Sequence, residues 1–343
     1  MLDLSDFTIC AADSINTALT ARALHLSKNN CKFGDAIFFS HVPVDGEFRT
    51  EKIAKLDMAS YQAFRLKLPP VIKTPFVLFV EWDGYVIEPR AWHPSFREYD
   101  YIGAKWIDNA ADGMNVGNSG FCLQSKRLLD ALADPRFVPL ENQNVDLLIC
   151  RTYRPILERE FGIRFAPEAV ADLFSYENAI PRQPTFGFHG LANMWRYMSD
   201  AEILSILDRA DPYVFRTGHF VLLIFAYALQ SKFAIIGQLF RRMLTHVSRD
   251  EALVAFRRAV EQPHGDRLFA MCEQLMACQY DLLNNHTMIA FSLDAPKLGG
   301  DFINDNNVEH SGFGSAVKTF LHKHTPTPIW STLKSAKKTL ARN

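Results

Sequence analysis

Two acidic residues at the end of an apolar run are the first candidates for chemistry in this sequence. Glu81 and Asp83 follow the run FVLFV and are separated by Trp82. Side chains two residues apart on a strand point the same way, so both carboxylates can face one ion of the Mg²⁺ or Mn²⁺ type. The alternative is a hairpin whose Asp-Gly turn needs a positive φ, which would explain Asp83 and Gly84 without any ligand.

A glycine-containing segment, GNSG, is the second candidate. It includes Gly117, Asn118 and Gly120 and stands between two short strand-like segments. Glycine has no Cβ, so the backbone here could approach a ligand closely. A plain tight turn would require the same residues, and the sequence leaves both explanations open.

Asp146 and His189 are isolated residues of chemically useful types. Asp146 stands where a loop enters a helix, so it is either a first-turn acid favoured by the helix dipole or a general base aimed into a cleft. His189 lies in TFGFHG. A lone histidine is commonly structural, but Gly187 and Gly190 would make this segment supple enough to carry a ligand.

The elements that must position these residues alternate between strand and helix periodicity. A helix is predicted after the first strand from the spacing of Ile15, Leu19, Ala23 and Leu26, and another over 58–68, ended by two prolines. Strands are predicted at 7–13, 35–40, 51–56 and 76–82. The alternation indicates an α/β fold with a mostly parallel sheet and helices on both faces, where ligands collect at the carboxyl ends of the strands.

The second part of the chain has a different character. Helices are predicted near 125–133 and 145–161, and from about residue 199 the chain becomes a series of long amphipathic helices. These helices are expected at 213–229, 233–247, 251–260 and 266–283. We therefore divide the chain into residues 1–197, which contain the sheet, and residues 198–343, an α-helical C-terminal domain.

The composition limits the class of protein. Of 343 residues, 48% are hydrophobic and 22% charged, and the formal net charge is −1, so nothing in the overall field would recruit nucleic acid. Six cysteines without a CxxC pair argue against a zinc site or a disulfide framework. The start of the chain is acidic, and the apolar run FVLLIFAYAL is about half of the roughly 20 residues that a spanning helix needs. We expect a cytoplasmic protein.

The last residues, PIWSTLKSAKKTLARN, form a candidate basic amphipathic helix. Ile329, Trp330, Leu333 and Leu340 can lie on one side of it. This segment would give peripheral contact with the inner face of a membrane. The alternative is a solvated or frayed terminal helix.

Taken in order, several segments resemble a bacterial family of uncharacterised, glycosyltransferase-like domains. The segments are FVLFVEWDGY, YDYIGAKW, VGNSGFCLQS, RFAPEAVADLFSYE and FGFHG, and the family pattern is close to QWDGY, YDYIGAPW, VGNGGFSLRS, ED, FAP, FSxE and FGFHG. The resemblance covers roughly residues 7–190. That family in turn is similar to GT-A glycosyltransferases, which implies a GT-A-like, Rossmann-type sheet and a nucleotide-sugar site.

The resemblance also implies roles for the candidate residues. Asp83 would be the stronger and Glu81 the weaker ligand of Mn²⁺ or Mg²⁺, and His189 a late ligand of the metal or diphosphate. Gly117, Asn118 and Gly120 would form the donor or acceptor loop. Asp13, at the end of the first strand, would lie near the donor's base and ribose.

Asp146 would be the catalytic base of an inverting transfer, by the same resemblance. The implied donor is a nucleotide-diphosphate sugar, with a UDP-sugar favoured, and the acceptor a glycan or lipid-linked hydroxyl. Two alternatives stay open: a sugar nucleotidyltransferase, and a degenerate glycan-binding or assembly protein. The segment CAADSINTALTAR has no glycine after the first strand, which counts against the first, and retention of Asp83, Asp146 and His189 together counts against the second.

Five departures from the family pattern stand out in this chain. Glu81 replaces Gln, so its metal role is supported by spacing alone. The other four are Lys105 for Pro, Ser119 for Gly, Gln124 for Arg and Val145 for Glu. The change at position 124 would remove a contact to a diphosphate.

Overall fold

Six strands form one sheet in the computed structural model, which describes residues 1–68, 70–106, 112–141, 143–179 and 181–277. The strands are β1 Leu2–Ala12, β2 Cys31–Ser40, β3 Arg49–Lys52, β4 Phe76–Val80, β5 Tyr101–Ile102 and β6 Phe121–Ser125. Their order is β3-β2-β1-β4-β6-β5. Strands β1 to β4 pair in parallel, and β6 runs antiparallel to both β4 and β5. The predicted α/β class with a mostly parallel sheet is confirmed.

The two faces of the sheet bury different residues because side chains alternate along each strand. Ile9 of β1 pairs with Leu78 of β4, and both belong to the core on one face. Cys10 and Phe79 are the next pair along, and both belong to the core on the other face. Each core is completed by helices, so the prediction of helices on both faces is correct.

The α-helices of the first part of the described chain range from 3 to 12 residues. They are α1 Thr17–Lys28, α2 Met58–Leu66, α3 Lys126–Leu132, α4 Val145–Leu147, α5 Arg154–Phe161 and α6 Glu168–Phe174. Helix α2 begins with a capping box in which Asp57 and Ser60 satisfy each other's backbone amides. Leu66 of α2, Leu128 of α3 and Leu157 of α5 pack on the face that contains Phe79.

Three local predictions were wrong. Ile15 is 54% exposed and lies before α1, which begins at Thr17. The third strand covers Arg49–Lys52 and not 51–56. The single helix expected over 145–161 is interrupted by a π-helical turn, Leu148–Thr152, before α5 starts with Pro155 in its first turn.

The second part of the described chain is helical, as predicted. Its helices are α7 Asp200–Leu207, α8 Gly218–Leu229, α9 Phe233–His246, α10 Arg249–Ala259 and α11 His264–Ala277. The predicted helix 213–229 divides into a 3₁₀ turn, Pro212–Arg216, and α8. Residues 278–343 lie outside the described chain, and with them the end of the last predicted helix and the basic amphipathic tail.

One hydrophobic cluster contains residues from both sides of the predicted domain border. Leu19, Tyr85 and Phe188 belong to it together with most buried side chains of α8 and α9. Trp82 and Trp195 pack against the same cluster. The border at residue 197 stays a prediction. Among the described residues, none of the helices combines the length and the apolar character needed to cross a bilayer.

Candidate metal centre

A tight turn at the carboxyl end of β4 carries the two carboxylates. Glu81 and Gly84 exchange two backbone hydrogen bonds of 3.0 Å each, which places Trp82 and Asp83 at the corner. Neither Asp83 nor Gly84 has a positive φ, so the hairpin explanation based on a left-handed Asp-Gly turn is wrong. The prediction that alternation along a strand makes Glu81 and Asp83 face the same way was also incorrect. Strand β4 ends at Val80, and the turn that follows orients both side chains.

Gly84 and Gly120 leave room for the imidazole of His189. A Cβ on Gly120 would lie 2.0 Å from His189 Nε2, and a Cβ on Gly84 would lie 2.8 Å from its Cδ2. Side-chain carbons do not approach other atoms this closely. The two glycines therefore serve the close approach of a side chain of this protein.

The segment that carries His189 is held at several points. Gly187 pairs with Val86, and a Cβ on it would lie 2.2 Å from the ring of Phe121. The amide of His189 donates to Tyr176, and Gly190, which has a φ of +95°, donates to the carbonyl of Asp83 at 2.9 Å. Gly187 allows this close packing and Gly190 supplies a positive φ. The suppleness expected for the segment stays a prediction.

Glu81, Asp83 and His189 come together in one cluster. His189 Nε2 lies 3.7 Å from Glu81 Oε2 and 3.7 Å from Asp83 Oδ1. One ligand atom from each of the three residues lies within 4.8 Å of the others, which is a spacing that can hold a metal ion. Two carboxylate oxygens and an imidazole nitrogen form a mixed donor set suited to a divalent cation.

Glu177 orients the imidazole from the opposite side. Its Oε1 lies 3.1 Å from His189 Nδ1. When Nδ1–H donates to this carboxylate, the lone pair of Nε2 faces Glu81 and Asp83, which is the arrangement that prepares a histidine for a metal. Sequence reasoning gave Glu177 no role. Its only signal was its place in the FSYE segment of the family pattern.

The electrostatics of the cluster favour a positive charge at its centre. Burial lowers the pKa of His189, but the charges of Asp83, Glu177 and Glu81 raise it well above its usual value. Burial raises the pKa of Glu81, but His189 and then Arg65 and Tyr61 lower it to about 2. The pKa of Asp83 is raised, chiefly by burial and also by the charge of Glu81. An excess of buried carboxylate charge is the electrostatic requirement of a cation site.

Each carboxylate keeps one oxygen for a ligand. Glu81 Oε1 accepts from the Tyr61 hydroxyl at 2.5 Å and from Arg65 at 3.2 Å, so Oε2 is the oxygen that faces His189. Asp83 Oδ2 accepts from the amide of Leu191 at 3.0 Å, which leaves Oδ1. Arg65 and Tyr61 were not identified from the sequence. The relative strength of the two ligands stays a prediction.

The GNSG loop contributes Asn118 to the cluster. Asn118 Nδ2 lies 2.9 Å from His189 Nδ1, and the backbone carbonyl of Asn118 accepts from the Tyr101 hydroxyl at 3.0 Å. Asn118 is 4% exposed, has a φ of +62°, and its Oδ1 has no partner among the described residues. A Cβ on Gly117 would lie 1.8 Å from the ring of Trp106. A contact of Gly117, Asn118 and Gly120 with a donor stays a prediction.

Asp146 lies within electrostatic reach of the cluster. It occupies the first turn of α4, and its Oδ1 accepts from the amide of Leu147 at 2.9 Å. Burial raises its pKa, the charge of Glu177 raises it further, and His189 opposes these effects. A half-buried carboxylate with a raised pKa has the properties of a general base. Its catalytic role stays a prediction.

Asp13 serves a turn before α1. Its Oδ1 accepts from the amides of Ile15 at 2.6 Å and Asn16 at 2.8 Å, and its Oδ2 accepts from the Thr20 hydroxyl at 2.5 Å. Its pKa is raised, chiefly by burial. These local contacts account for an aspartate at this position. Whether Asp13 also contacts a donor is untested.

The departures from the family pattern have local explanations at two positions. Lys105 pairs with Asp172 at 2.7 Å, and Val145 is buried in the core beside α2. The hydrogen bond that Ser119 accepts from Arg65 is to its backbone carbonyl and does not explain the side chain. Gln124 is 1% exposed within β6, and its Oε1 has no partner among the described residues.

Comparison with known proteins gives a family without an assigned activity. A family described as proteins of unknown function (DUF5672) matches residues 58–189, a span that contains the whole cluster. No curated protein matches the chain. Among solved structures, the galactosyltransferase LgtC in complex with donor and acceptor sugar analogs is 11% identical, with a TM-score of 0.32 over 53% of this chain and 86% of that chain. The assignment of function must therefore come from the site.

Proposed function

We propose that this protein is a metal-dependent glycosyltransferase. In this proposal a sugar moves from a nucleotide-diphosphate donor, with a UDP-sugar favoured, to a hydroxyl of a glycan or lipid-linked acceptor, with inversion. The single observation that carries the proposal is the cluster of Glu81, Asp83 and His189 at the carboxyl edge of a mostly parallel sheet. Ligands collect at that edge in open α/β sheets.

The residues of the cluster fit a divalent cation. Glu81 Oε2, Asp83 Oδ1 and His189 Nε2 would hold it, and Glu177 would keep the imidazole in the required tautomer. The imidazole favours a transition metal, so of the two expected cations Mn²⁺ suits the set better than Mg²⁺. When bound, such a cation neutralises charge that develops on a departing diphosphate.

Asp146 would take the proton from the acceptor hydroxyl. Its pKa is raised, chiefly by burial, so the carboxylate is a stronger base than an exposed aspartate. The side-chain amide of Asn118 lies beside His189 Nδ1 and would help to hold the imidazole in place.

A binding measurement tests the proposal first. A ligand that binds only the folded state raises the melting temperature, so UDP with Mn²⁺ should stabilise the protein more than either alone. The Asp83→Asn variant should lose this stabilisation and all transfer from donor sugars. Asp130→Asn is the matched control, because Asp130 is exposed on α3 and its ion pair among the described residues is with Lys126.

The outcomes separate the candidate functions. Transfer of sugar to an acceptor that depends on Asp83 supports the proposal. Formation of a nucleotide sugar from nucleoside triphosphate and sugar phosphate would identify a nucleotidyltransferase instead. Binding of glycans with no effect of nucleotide or metal would indicate a non-catalytic protein and would exclude the proposed activity. Membrane contact through residues 328–343 and a cytoplasmic location stay predictions.

A further inference from the structure

We propose that Arg65 is a positioning residue that couples the cation ligand Glu81 to the loop that contains Asn118. Arg65 belongs to α2, its side chain is fully buried, and it is the largest of the fully buried side chains in the described chain. A buried guanidinium is costly unless it is paired and hydrogen-bonded. The positions of its hydrogen-bond partners indicate the role of the Arg65 guanidinium.

The two terminal nitrogens of Arg65 contact two different parts of the site. One, Nη1, donates to Glu81 Oε1 at 3.2 Å and to the Tyr61 hydroxyl at 2.7 Å. The other, Nη2, donates to the backbone carbonyl of Ser119 at 2.8 Å. Since the guanidinium is planar and rigid, the distance between the metal-ligand turn and Ser119 is set by one group.

Ser119 lies between the two residues of the loop that approach His189. It separates Asn118, whose amide lies beside His189, from Gly120, whose backbone lies against the same imidazole. A shift of the Ser119 carbonyl would therefore move both neighbours relative to His189. Through Arg65, the position of Glu81 and the position of this loop depend on each other.

The surroundings of Arg65 suit arginine and not lysine. Its guanidinium carbon lies 3.8 Å from the centroid of the Phe79 ring, so the flat group stacks on an aromatic face while its edge donates hydrogen bonds. Lysine offers a point charge and cannot donate in two fixed directions at once. The charge of Arg65 also accounts for Glu81 at a position where the family pattern has Gln, because a buried cation needs an anionic partner.

The inference rests on the cation site of the proposed function, but its main test does not need a metal. We would measure amide hydrogen exchange of residues 117–122 in the full-length protein and in the Arg65→Lys variant. Exchange in this segment should rise about tenfold or more, because the carbonyl that holds the loop loses its fixed donor. A Mn²⁺ titration of the same proteins should show affinity lowered about 10- to 100-fold, the usual effect of losing a partner of a metal ligand.

Two variants make the test specific. Arg127→Lys is the matched control, because Arg127 also joins a carboxylate, that of Asp100, to a backbone carbonyl, that of Gly162, away from the cluster. It should leave exchange of 117–122 and Mn²⁺ affinity unchanged. Tyr61→Phe removes a donor to Glu81 and leaves the Ser119 contact, so it should weaken Mn²⁺ binding without raising loop exchange.

The outcomes decide the inference in each case. Unchanged exchange of 117–122 in folded Arg65→Lys protein would overturn it, and so would a Tyr61→Phe variant that loosens the loop equally. If Arg65→Lys does not fold, Glu81→Gln removes the anionic partner of the guanidinium and leaves its contact with the Ser119 carbonyl. A smaller rise in loop exchange is then expected, because the guanidinium loses one of its two anchors, and no rise would overturn the coupling. Failure of the wild type to bind Mn²⁺ or to transfer sugar would refute the proposed function, while the exchange comparison would still decide the coupling.

Discussion

The imidazole of His189 lies against the backbone of Gly120 so closely that a single methyl group would displace it. A Cβ at position 120 would come within 2.0 Å of Nε2, the nitrogen that faces both carboxylates. The backbone is held on both sides of Gly120, since the Ser119 carbonyl accepts from Arg65 and strand β6 begins at Phe121. The ligand geometry thus depends on the absence of a side chain as much as on the ligands themselves.

The first prediction follows from this contact. Gly120→Ala should abolish detectable Mn²⁺ binding in calorimetry, because it pushes Nε2 away from Glu81 and Asp83. Gly84→Ala should have a smaller effect, since its Cβ would lie 2.8 Å from Cδ2 of the ring. Gly218→Ala is the control, because its Cβ would make an ordinary 3.5 Å contact with Ala259. Equal Mn²⁺ affinity in Gly120→Ala and wild type would show that His189 does not bind the metal.

The second prediction concerns Glu177. Glu177→Gln keeps the size of the side chain and replaces the carboxylate that faces His189 Nδ1. Mn²⁺ affinity should fall about 10- to 100-fold because the imidazole loses the partner that fixes its tautomer. Glu168→Gln is the matched control, since Glu168 accepts a hydrogen bond from Asn115 and does not contact the cluster. Identical Mn²⁺ affinities of the two variants would remove Glu177 from the site.

The third prediction concerns Asp146. Asp146→Asn should lower kcat by about 10²- to 10⁴-fold with little change in donor affinity, as expected when a general base is lost. Steady-state kinetics over a range of donor concentrations would separate the two parameters. A variant that binds donor poorly but turns over normally at saturation would assign Asp146 to binding.

The fourth prediction concerns stability and uses Asp100. Burial raises the pKa of this carboxyl, but hydrogen bonds from Arg127, Ser125 and the amide of Arg164 outweigh burial and lower it. A lowered pKa means that the stabilisation is present above the unfolded-state pKa of about 3.9 and is lost as the pH falls below it. Asp100→Asn should cost about 1–3 kcal/mol at pH 7.

Urea denaturation at several pH values checks this sign. The difference between wild type and Asp100→Asn should be largest near neutral pH and should shrink below about pH 4, where the wild-type carboxyl becomes protonated. Asp172→Asn, which loses an exposed pair with Lys105, should differ from wild type by about 1 kcal/mol or less at neutral pH. A difference for Asp100→Asn that grows on acidification would contradict the assignment.

The sequence predicted strands β1, β2 and β4 because each ends in a buried apolar run. It misplaced β3, which is a short polar strand. It did not predict the break at Leu148–Thr152, because a π-helical turn leaves no clear periodic signal. Strand β5 has two residues, Tyr101 and Ile102, and is defined only by its pairing with β6. Such elements depend on tertiary contacts and cannot be recognised from local patterns.

The candidate site shows the same division. Asp83 and His189 were found from residue type and from the family pattern, and the structure places them in one cluster with Glu81. Arg65 and Glu177 were missed. They lie 16 residues from Glu81 and 12 from His189, and both stand in stretches that read as ordinary helix and loop. These residues contact the ligands only through the tertiary fold, so their spacing in the sequence does not indicate their role.

The corner that carries Trp82 and Asp83 gives the helical half of the protein a part in holding the site. The carbonyl of Asp83 accepts from Gly190, its side chain accepts from Leu191, and Leu191 begins the 3₁₀ turn that leads towards α7. Trp82, at the same corner, packs against the cluster formed largely by α8 and α9. A chain shortened at residue 197 would retain every candidate ligand but would lose the surface against which the ligand-bearing corner is pressed. To build this site into another protein's sheet, one would therefore have to include the helices that pack against Trp82 as well.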